Sequence, residues 1–269
     1  MNNVVSKVLL IIVILLIALF AYKTLKVPSI AVAKISPNNV SQQSSDQLNE
    51  VKKTEKIIHE YLLNNPEVIV QAMEVLQQRK KHEMEIKASQ YIQDHQSEVN
   101  NPTTSPILGN SSGNIMIAAF YDYNCTYCKK GDKFINQLIK LDSNVKVFLK
   151  PFPILGDNSY FAASIALAVY KTAPLKFKNV HDSLIEMKPI SNAAVEKLLI
   201  DNTLDPASII DAANQEEVKT ILEQNTQLAR NLKIQGVPAY IINGRLIPGM
   251  MDLEQLQRVI AEIRNQNKQ

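Results

Sequence analysis

Apolar positions recur at helical spacing over residues 48–96, in two segments separated by the tripeptide Asn65-Pro66-Glu67. This tripeptide is typical of a helix start. It offers a capping side chain, a proline whose missing N–H costs nothing at that position, and an acidic residue near the positive end of the helix. The pattern therefore predicts a helical arm of two helices at residues 48–96.

The second helix of the arm carries a narrow apolar stripe. Its members share one face: Val68, Ile69, Ala72, Met73 and Leu76. Such a stripe is too narrow for a helix buried in a core, and it fits a solvated stalk or an oligomerisation segment. A surface helix that lies along its own domain would show the same pattern, so both interpretations stay open.

Polar segments flank this arm on both sides. Residues 34–47 are rich in Ser, Asn and Gln, which predicts a linker. Residues 97–114 combine Pro, Gly, Asn and Ser without apolar periodicity, and they are predicted to form a hinge into the next domain.

The remaining residues, 115–269, show the pattern of an α/β domain. Residues 115–123 form a short apolar and aromatic run typical of a buried strand, and a second strand is predicted at residues 144–150, after an amphipathic helix. A helical insert at about 158–232 follows. An Asn-Gly dipeptide at residues 243–244 stands between two apolar runs, which predicts a hairpin before a final amphipathic helix.

The N-terminal segment, residues 1–33, predicts export. An unbroken apolar run from Val8 to Tyr22 has lysines on both sides and is followed by small residues that end at Ala33. A signal peptide cleaved after Ala33 and an uncleaved signal anchor both fit this segment. In either case the rest of the chain is predicted to be exported.

Composition and charge exclude several classes of function. The net charge is +3, from 29 basic and 26 acidic residues, and this near balance argues against a dedicated nucleic-acid-binding protein, which would show a basic face. The chain has 7 glycines and no Gly-rich phosphate-binding loop. We assign a role to none of the four histidines: His59, His82, His95 and His181.

The only two cysteines, Cys125 and Cys128, stand together where the first predicted strand ends and a helix begins. The unpaired N–H groups and the macrodipole at a helix start stabilise a thiolate, so Cys125 is predicted to have a lowered pKa and to be the nucleophile. Cys128 lies within bonding range across one helical turn and would resolve the mixed disulfide. Exported proteins usually place cysteines in staples between distant segments, and this chain has none left for that purpose.

Two other interpretations of the pair stay open on the residues alone. A structural zinc site needs four ligands, and no histidine has a finger-like spacing to the cysteines, so no metal site is predicted. An inert surface disulfide would close a very short loop and would therefore restrict the unfolded chain little.

Taken together, these residues resemble the DsbA-type thiol-disulfide oxidoreductases of the thioredoxin superfamily, in the ScsC-like branch with an N-terminal helical segment. The resemblance spans about Leu48 to Ile263 and rests on YLLNNPEVIVQAM, FYDYNCTYCK, LKPFPILG and LARNLKIQGVPAYIING. It implies a thioredoxin fold with an inserted helical subdomain, preceded by an N-terminal helical arm. It implies no cofactor besides a redox-active disulfide between Cys125 and Cys128.

The same resemblance places the loop at Val237-Pro238 opposite the dithiol. In such proteins this proline is cis and leaves room for a substrate strand, so Pro238 would shape the site and Val237 would contact substrate. Thr126 and Tyr127, between the cysteines, complete the set of predicted site residues.

Three positions depart from the usual pattern of the family. Thr126 stands where proline is common, which leaves the redox potential open. Ala119 stands where an acid often assists proton transfer, so this transfer would rely on water or be slower. Val237 is seen in oxidase-type members, whereas threonine is frequent in isomerase and ScsC-like ones.

We therefore expect a periplasmic oxidoreductase that forms disulfides in reduced or misoxidised exported proteins and is reoxidised by a membrane partner. The first alternative is an isomerase or reductase that a membrane partner keeps reduced, which homo-oligomerisation through the N-terminal helices would favour by shielding the dithiol. The second alternative is a non-catalytic exported chaperone or scaffold.

Overall fold

The computed structural model describes the backbone of residues 37–266 and the side chains of residues 48–266. The predicted signal peptide or anchor at residues 1–33 lies outside the described residues. The chain divides into two compact units, with the boundary between Met73 and Glu74. None of the helices in the described part of the chain is long and apolar enough to span a bilayer.

The first unit contains helix α1 (Pro37–Asn64) and the beginning of helix α2 (Glu67–Asp94). The break predicted at Asn65 and Pro66 is therefore confirmed. The role of the Asn65 side chain differs from the prediction, because its Nδ2 donates a hydrogen bond of 2.8 Å to the carbonyl oxygen of Tyr61. Asn65 thus closes the end of α1 rather than capping the start of α2.

The linker predicted at residues 34–47 is wrong from Pro37 onward, because α1 begins there. Proline is accepted in the first turn of a helix, where its missing N–H would have no partner. The polar residues that follow include no glycine and no further proline before Pro66 to break the helix. A polar composition alone is compatible with both a linker and a solvated helix.

Helices α1 and α2 expose most of their apolar residues over the predicted arm. The large apolar side chains that remain exposed are Leu48, Val51, Ile57, Ile58, Tyr61, Leu63, Ile69, Val70, Met73, Val75, Leu76, Met84 and Ile86. The end of α2 behaves differently, because Ala88 and Ile92 are buried in a core of the second unit. The prediction of a helix lying along its own domain holds for this end of α2.

A five-stranded sheet of order β1-β3-β2-β4-β5 lies at the centre of the second unit. Its strands are β1 (Ile107–Gly109), β2 (Ile115–Tyr121), β3 (Val145–Pro151), β4 (Ala239–Ile242) and β5 (Arg245–Pro248). β2 and β3 are parallel and are joined by helix α4 (Thr126–Leu141), whereas the other neighbours are antiparallel. Almost every residue of β2 and β3 is buried, as their apolar runs predicted.

Alternate residues of β2 contribute to two separate cores on the two faces of the sheet. Ile117 and Ala119 belong to one core, and Ala118 and Phe120 belong to the other. The helical insert is confirmed as five consecutive helices, and a last helix follows the sheet. These are α5 (Asp157–Thr172), α6 (Pro174–Glu186), α7 (Asn192–Asp201), α8 (Pro206–Ala213), α9 (Glu216–Asn231) and α10 (Leu253–Gln266).

The predicted hairpin is confirmed at Asn243 and Gly244, which connect β4 and β5 with φ angles of 44° and 90°. Positive φ at both central residues is the conformation of a type I′ turn, and this is why an Asn-Gly pair is such a strong signal. The hairpin completes the edge of the sheet next to β2.

The hinge predicted at residues 97–114 is wrong. This segment contains most of the short helix α3 (Gln96–Val99) and strand β1, which pairs with β3. Val99 and Leu108 are buried, and Lys150 Nζ donates a hydrogen bond of 2.7 Å to a backbone carbonyl of α3. Such short elements show no periodicity, so polar composition dominated the prediction. The thioredoxin-like domain therefore begins before residue 115.

We predict that Ile92→Ala lowers the free energy of unfolding of the second unit by about 2–5 kcal/mol, because it opens a cavity in a core. Ile86→Ala is the matched control in the same helix, and since Ile86 is exposed we expect a change within about 0.5 kcal/mol. Urea denaturation followed by circular dichroism measures both. Equal losses in the two variants would contradict the burial of the end of α2.

Candidate active site

Cys125 occupies the N-cap position of α4, directly after the turn that follows β2. Its backbone N–H donates a hydrogen bond of 3.1 Å to the carbonyl oxygen of Asp122, and its Sγ accepts one of 3.2 Å from the backbone N–H of Cys128. A cysteine therefore stands where a helix usually begins with serine, threonine or aspartate. The first turn of the helix points its free N–H groups at the Cys125 sulfur.

The Asp122 carboxylate organises the turn before Cys125. Its Oδ1 accepts a hydrogen bond from the backbone N–H of Asn124 at 2.8 Å, and its Oδ2 accepts two from the N–H groups of Ile154 and Leu155 at 2.9 and 3.0 Å. These bonds tie the loop after β3 to the turn of the dithiol. Asp122 was not predicted as a site residue, although an aspartate between a buried strand and a helix N-cap was an available signal.

The two sulfurs differ strongly in acidity. The pKa of Cys125 is lowered to about 6, chiefly by the hydrogen bond from the Cys128 side chain and also by the backbone N–H groups of Cys128 and Tyr127, against the opposing effect of burial. The pKa of Cys128 is raised far above its usual range by the same side-chain hydrogen bond and by burial. Near neutral pH the reduced pair therefore holds one thiolate, on Cys125, and one thiol, on Cys128.

The other predicted site residues lie around this pair. The peptide bond between Val237 and Pro238 is cis, and the Val237 carbonyl oxygen lies 3.5 Å from Cys125 Sγ. Thr126 and Tyr127 are both exposed in the first turn of α4. The fold thus brings all six predicted residues together, while the roles of Val237, Pro238, Thr126 and Tyr127 toward a substrate stay predictions.

A chain of buried polar side chains lies beneath the dithiol. Tyr121 donates its hydroxyl proton to the Tyr123 oxygen at 3.0 Å, the Tyr123 oxygen lies 2.9 Å from His181 Nδ1, and His181 Nε2 lies 3.1 Å from Asp132 Oδ1. His181 is completely buried. No role was predicted for His181, since no local pattern joins it to Asp132, which is 49 positions away in the chain.

The ligand atoms of Asp132, His181 and Asp182 lie within 4.8 Å of one another, which is the spacing of a metal site. Both ring nitrogens of His181 already have hydrogen-bond partners, and Asp182 forms an ion pair with Lys178. The group is therefore better explained as a hydrogen-bond network. It contains neither cysteine, so it gives no support to a zinc site at the dithiol.

Comparison with known families agrees with this geometry. The pattern of the DSBA-like thioredoxin domain matches residues 116–261, which is more than half of the chain. The chain belongs to this family. The pattern of the copper resistance protein ScsC N-terminal domain matches residues 52–83, within the predicted arm. The resemblance to DsbA-like and ScsC-like thiol-disulfide oxidoreductases and the thioredoxin fold are thereby confirmed.

Individual relatives are similar at moderate identity. The chain is 24% identical over 168 residues to disulfide bond formation protein D of Bacillus subtilis (strain 168), which covers 58% of this chain and 76% of that protein. The catalytic domain of Proteus mirabilis ScsC superposes with a TM-score of 0.60 at 28% identity, covering 65% of this chain and 97% of that chain. A structure of P. mirabilis ScsC in a transitional conformation superposes with a TM-score of 0.60 at 29% identity. This match covers 80% of this chain and 97% of that chain.

We predict that the thiolate of Cys125 titrates with a midpoint near pH 6, as measured by the pH dependence of its alkylation rate. Cys128→Ala removes the largest stabilising hydrogen bond, so the midpoint should rise toward the ordinary value of about 8.5. It should stay below that value, because the N–H groups of the first turn of α4 remain.

The control for this titration is Lys130→Gln, which removes an exposed positive charge next to the site. We expect little change in the midpoint, since exposed charges are screened by salt. If the midpoint shifts in Lys130→Gln and not in Cys128→Ala, surface charge, rather than the hydrogen bond between the sulfurs, sets the pKa of Cys125.

Proposed function

We propose that the protein forms disulfide bonds in reduced or misoxidised exported proteins through a disulfide between Cys125 and Cys128. The observation that carries this proposal is the unequal pair of sulfurs at the start of α4. Because the thiolate of Cys125 is stabilised, the dithiol is favoured over the disulfide, and the disulfide is readily passed to another protein. No cofactor besides this disulfide is needed for the exchange.

The surroundings of the dithiol suit a peptide as substrate. Tyr127, Ile154 and Leu155 are exposed apolar side chains, and Asp122 holds the loop of the last two beside the turn of Cys125. The Val237 carbonyl next to Cys125 offers an acceptor for a substrate N–H. An unfolded segment could pair with this backbone while its cysteine reaches Cys125.

We place this activity in the cell envelope, specifically the periplasm. The apolar run Val8–Tyr22 at the N-terminus supports export. A periplasmic thioredoxin-like protein from Salmonella enterica serovar Typhimurium is 29% identical, with a TM-score of 0.57. Renewed oxidation of the dithiol would fall to a redox partner in the membrane.

The direction of exchange depends on the redox potential, which we predict to be about −230 mV. The value follows by interpolation, because the Cys125 pKa of about 6 lies between those of DsbA (about 3.5, −120 mV) and thioredoxin (about 7, −270 mV). Disulfides of secreted proteins commonly have potentials below about −300 mV, so donation to them is favourable by roughly 3 kcal/mol.

Equilibration in glutathione buffers with thiol trapping measures this potential, and a reduced unfolded secreted protein serves as the substrate for disulfide donation. The variant with both cysteines replaced by serine controls for binding without exchange. A potential below about −300 mV would overturn donation and favour the reductase or isomerase alternative. If the serine variant keeps the unfolded substrate protein from aggregating and the wild type shows no thiol-disulfide exchange, the chaperone or scaffold alternative is supported.

The isomerase alternative has one observation in its favour, the exposed apolar residues of α1 and α2. We propose that these residues mediate homo-oligomerisation, because many large apolar side chains left exposed along two helices commonly mark an interface. In an oligomer the dithiols could be shielded from the oxidising partner and stay reduced.

We predict that Met73→Glu combined with Leu76→Glu lowers the molar mass measured by light scattering, because a buried charge without a partner disrupts an apolar interface. Gln77→Glu and Gln78→Glu in the same helix are the matched control and should leave the mass unchanged. A wild-type protein that is already monomeric would remove the oligomerisation argument for an isomerase.

A further inference from the structure

Asp132 follows Cys128 by four residues on α4, so the two side chains are neighbours on one face of the helix. Both line a small cavity, and Ala119 lines it as well. The centre of a water molecule can occupy about 20 Å³ of this cavity. A water needs about 10–15 Å³ by this measure and at least two polar partners. The cavity therefore has room for one water, and Cys128 and Asp132 are two of the polar groups that line it.

Ala119 has a direct bearing on this cavity. It lies on β2 at the position where the family often has an acid for proton transfer, and its short side chain leaves the cavity space open. Asp132 reaches the same cavity from the helix side. A carboxylate thus lines the same cavity as Cys128, although it comes from α4 and not from β2.

The hydrogen bonds of the network show how it can take up a proton. Because Tyr121 donates to Tyr123, the Tyr123 proton is directed at His181 Nδ1, and His181 Nε2–H donates to Asp132 Oδ1. When the Asp132 carboxylate gains a proton, His181 Nε2–H keeps its hydrogen bond to Oδ1, and the Tyr123 hydroxyl keeps its hydrogen bond to Nδ1. Each partner keeps its hydrogen bond in both states, so the network needs no rearrangement.

The exchange reaction needs such an acceptor. In the mixed disulfide the Cys125 thiolate no longer accepts a hydrogen bond from Cys128, but burial still raises the pKa of the Cys128 thiol, and only its thiolate can attack. Cys125 needs no base by comparison, because it is already ionised near neutral pH.

We propose that Asp132, held in place by His181, takes up the proton of Cys128 through a water in the cavity when Cys128 resolves a mixed disulfide, and we call Asp132 and His181 the proton-transfer pair. This inference rests on the proposed function. In reoxidation, the Cys125 thiolate attacks a disulfide of the redox partner and expels one partner sulfur as thiolate. Cys128 then gives its proton to the pair and attacks Cys125 Sγ. The Cys128–Cys125 bond forms, the bond from Cys125 to the partner breaks, and the second partner sulfur leaves with the electron pair.

The pair works in the opposite direction during donation. A substrate thiolate attacks Cys125 in the disulfide form, and Cys128 leaves with the electron pair of the broken S–S bond. The protonated pair returns its proton to the Cys128 sulfur, which suppresses the reverse attack. A second substrate thiolate then attacks the substrate sulfur in the mixed disulfide, and Cys125 leaves as a stable thiolate.

Other ionisable groups face the pair from the surrounding elements. They are Cys125 and Cys128 on α4, Tyr121 on β2, Asp122 and Tyr123 in the turn after it, Tyr240 on β4 and Asp182 on α6. Burial raises the pKa of each of the three tyrosines, so they stay protonated near neutral pH and act only through hydrogen bonds. Asp182 is bound to Lys178 at 2.6 Å, and Asn136 Nδ2 donates to Asp132 Oδ2 at 2.7 Å.

The test separates the two steps of reoxidation by oxidised glutathione in rapid-quench thiol trapping. The first phase forms the mixed disulfide at Cys125, and the second phase resolves it through Cys128. We expect Asp132→Asn and His181→Gln to leave the first phase within about twofold of the wild type. The second phase should slow at least tenfold at pH 7, since general acid–base transfer typically contributes 10²–10⁴-fold. The deficit should shrink as pH rises, because hydroxide can then take the proton directly.

The control is Asp182→Asn, which removes a carboxylate next to His181 that is already paired with a lysine, and both of its phases should match the wild type. An unchanged second phase in Asp132→Asn and His181→Gln overturns the inference alone. Equal slowing of both phases, without the pH dependence, also overturns it, because that result indicates a structural role. Should one variant fail to fold, the other decides. Absence of a first phase in the wild type overturns the proposed function as well.

Discussion

The hydrogen bond from the Cys128 side chain to the Cys125 sulfur, which lowers the pKa of Cys125, is the constraint on which the site depends. It requires the sulfurs to lie one helical turn apart, with the first at an N-cap whose side chain can accept. The buried strand β2 must therefore end directly before the helix, and the connecting turn must be short. The same bond makes Cys125 acidic and Cys128 resistant to ionisation, so one interaction assigns different roles to two identical side chains.

Asp122 supplies much of the rigidity that this arrangement needs. A buried carboxylate is costly unless its oxygens accept hydrogen bonds, and here three backbone N–H groups satisfy it. Two of those groups come from the loop after β3, so the turn of the dithiol and the apolar surface of Ile154 and Leu155 are fixed to each other. The surface proposed to bind a substrate peptide thus shares one anchor with the dithiol, although Asp122 slightly opposes the ionisation of Cys125.

Short sequence patterns were sufficient to predict those elements that interactions between neighbouring residues determine. The apolar run of β2, the Asn243-Gly244 hairpin and the position of the cysteines follow from patterns of a few residues, and the structure has each of them. β1 was missed because three residues show no period, and its pairing with β3 is a long-range contact. The start of α1 at Pro37 was missed because a solvated helix and a linker have the same polar composition. His181 and Asp132 meet only through the tertiary fold, which no spacing reveals.

Alanine at position 119 in place of the family's usual acid shows that a chemical requirement can be met without the sequence motif that usually meets it. The requirement is a proton acceptor that reaches the buried resolving sulfur, and a position on the strand is one way to meet it. The cavity below Cys128 is bounded by β2 on one side and by α4 on the other, so a carboxylate can enter from either layer. On α4 it lies four residues from the sulfur, which fixes its distance through helix geometry. It can also be held by a histidine from α6, a partner that links the dithiol to the helical insert. A departure from the family pattern at one residue therefore directs attention to the other residues around the same cavity.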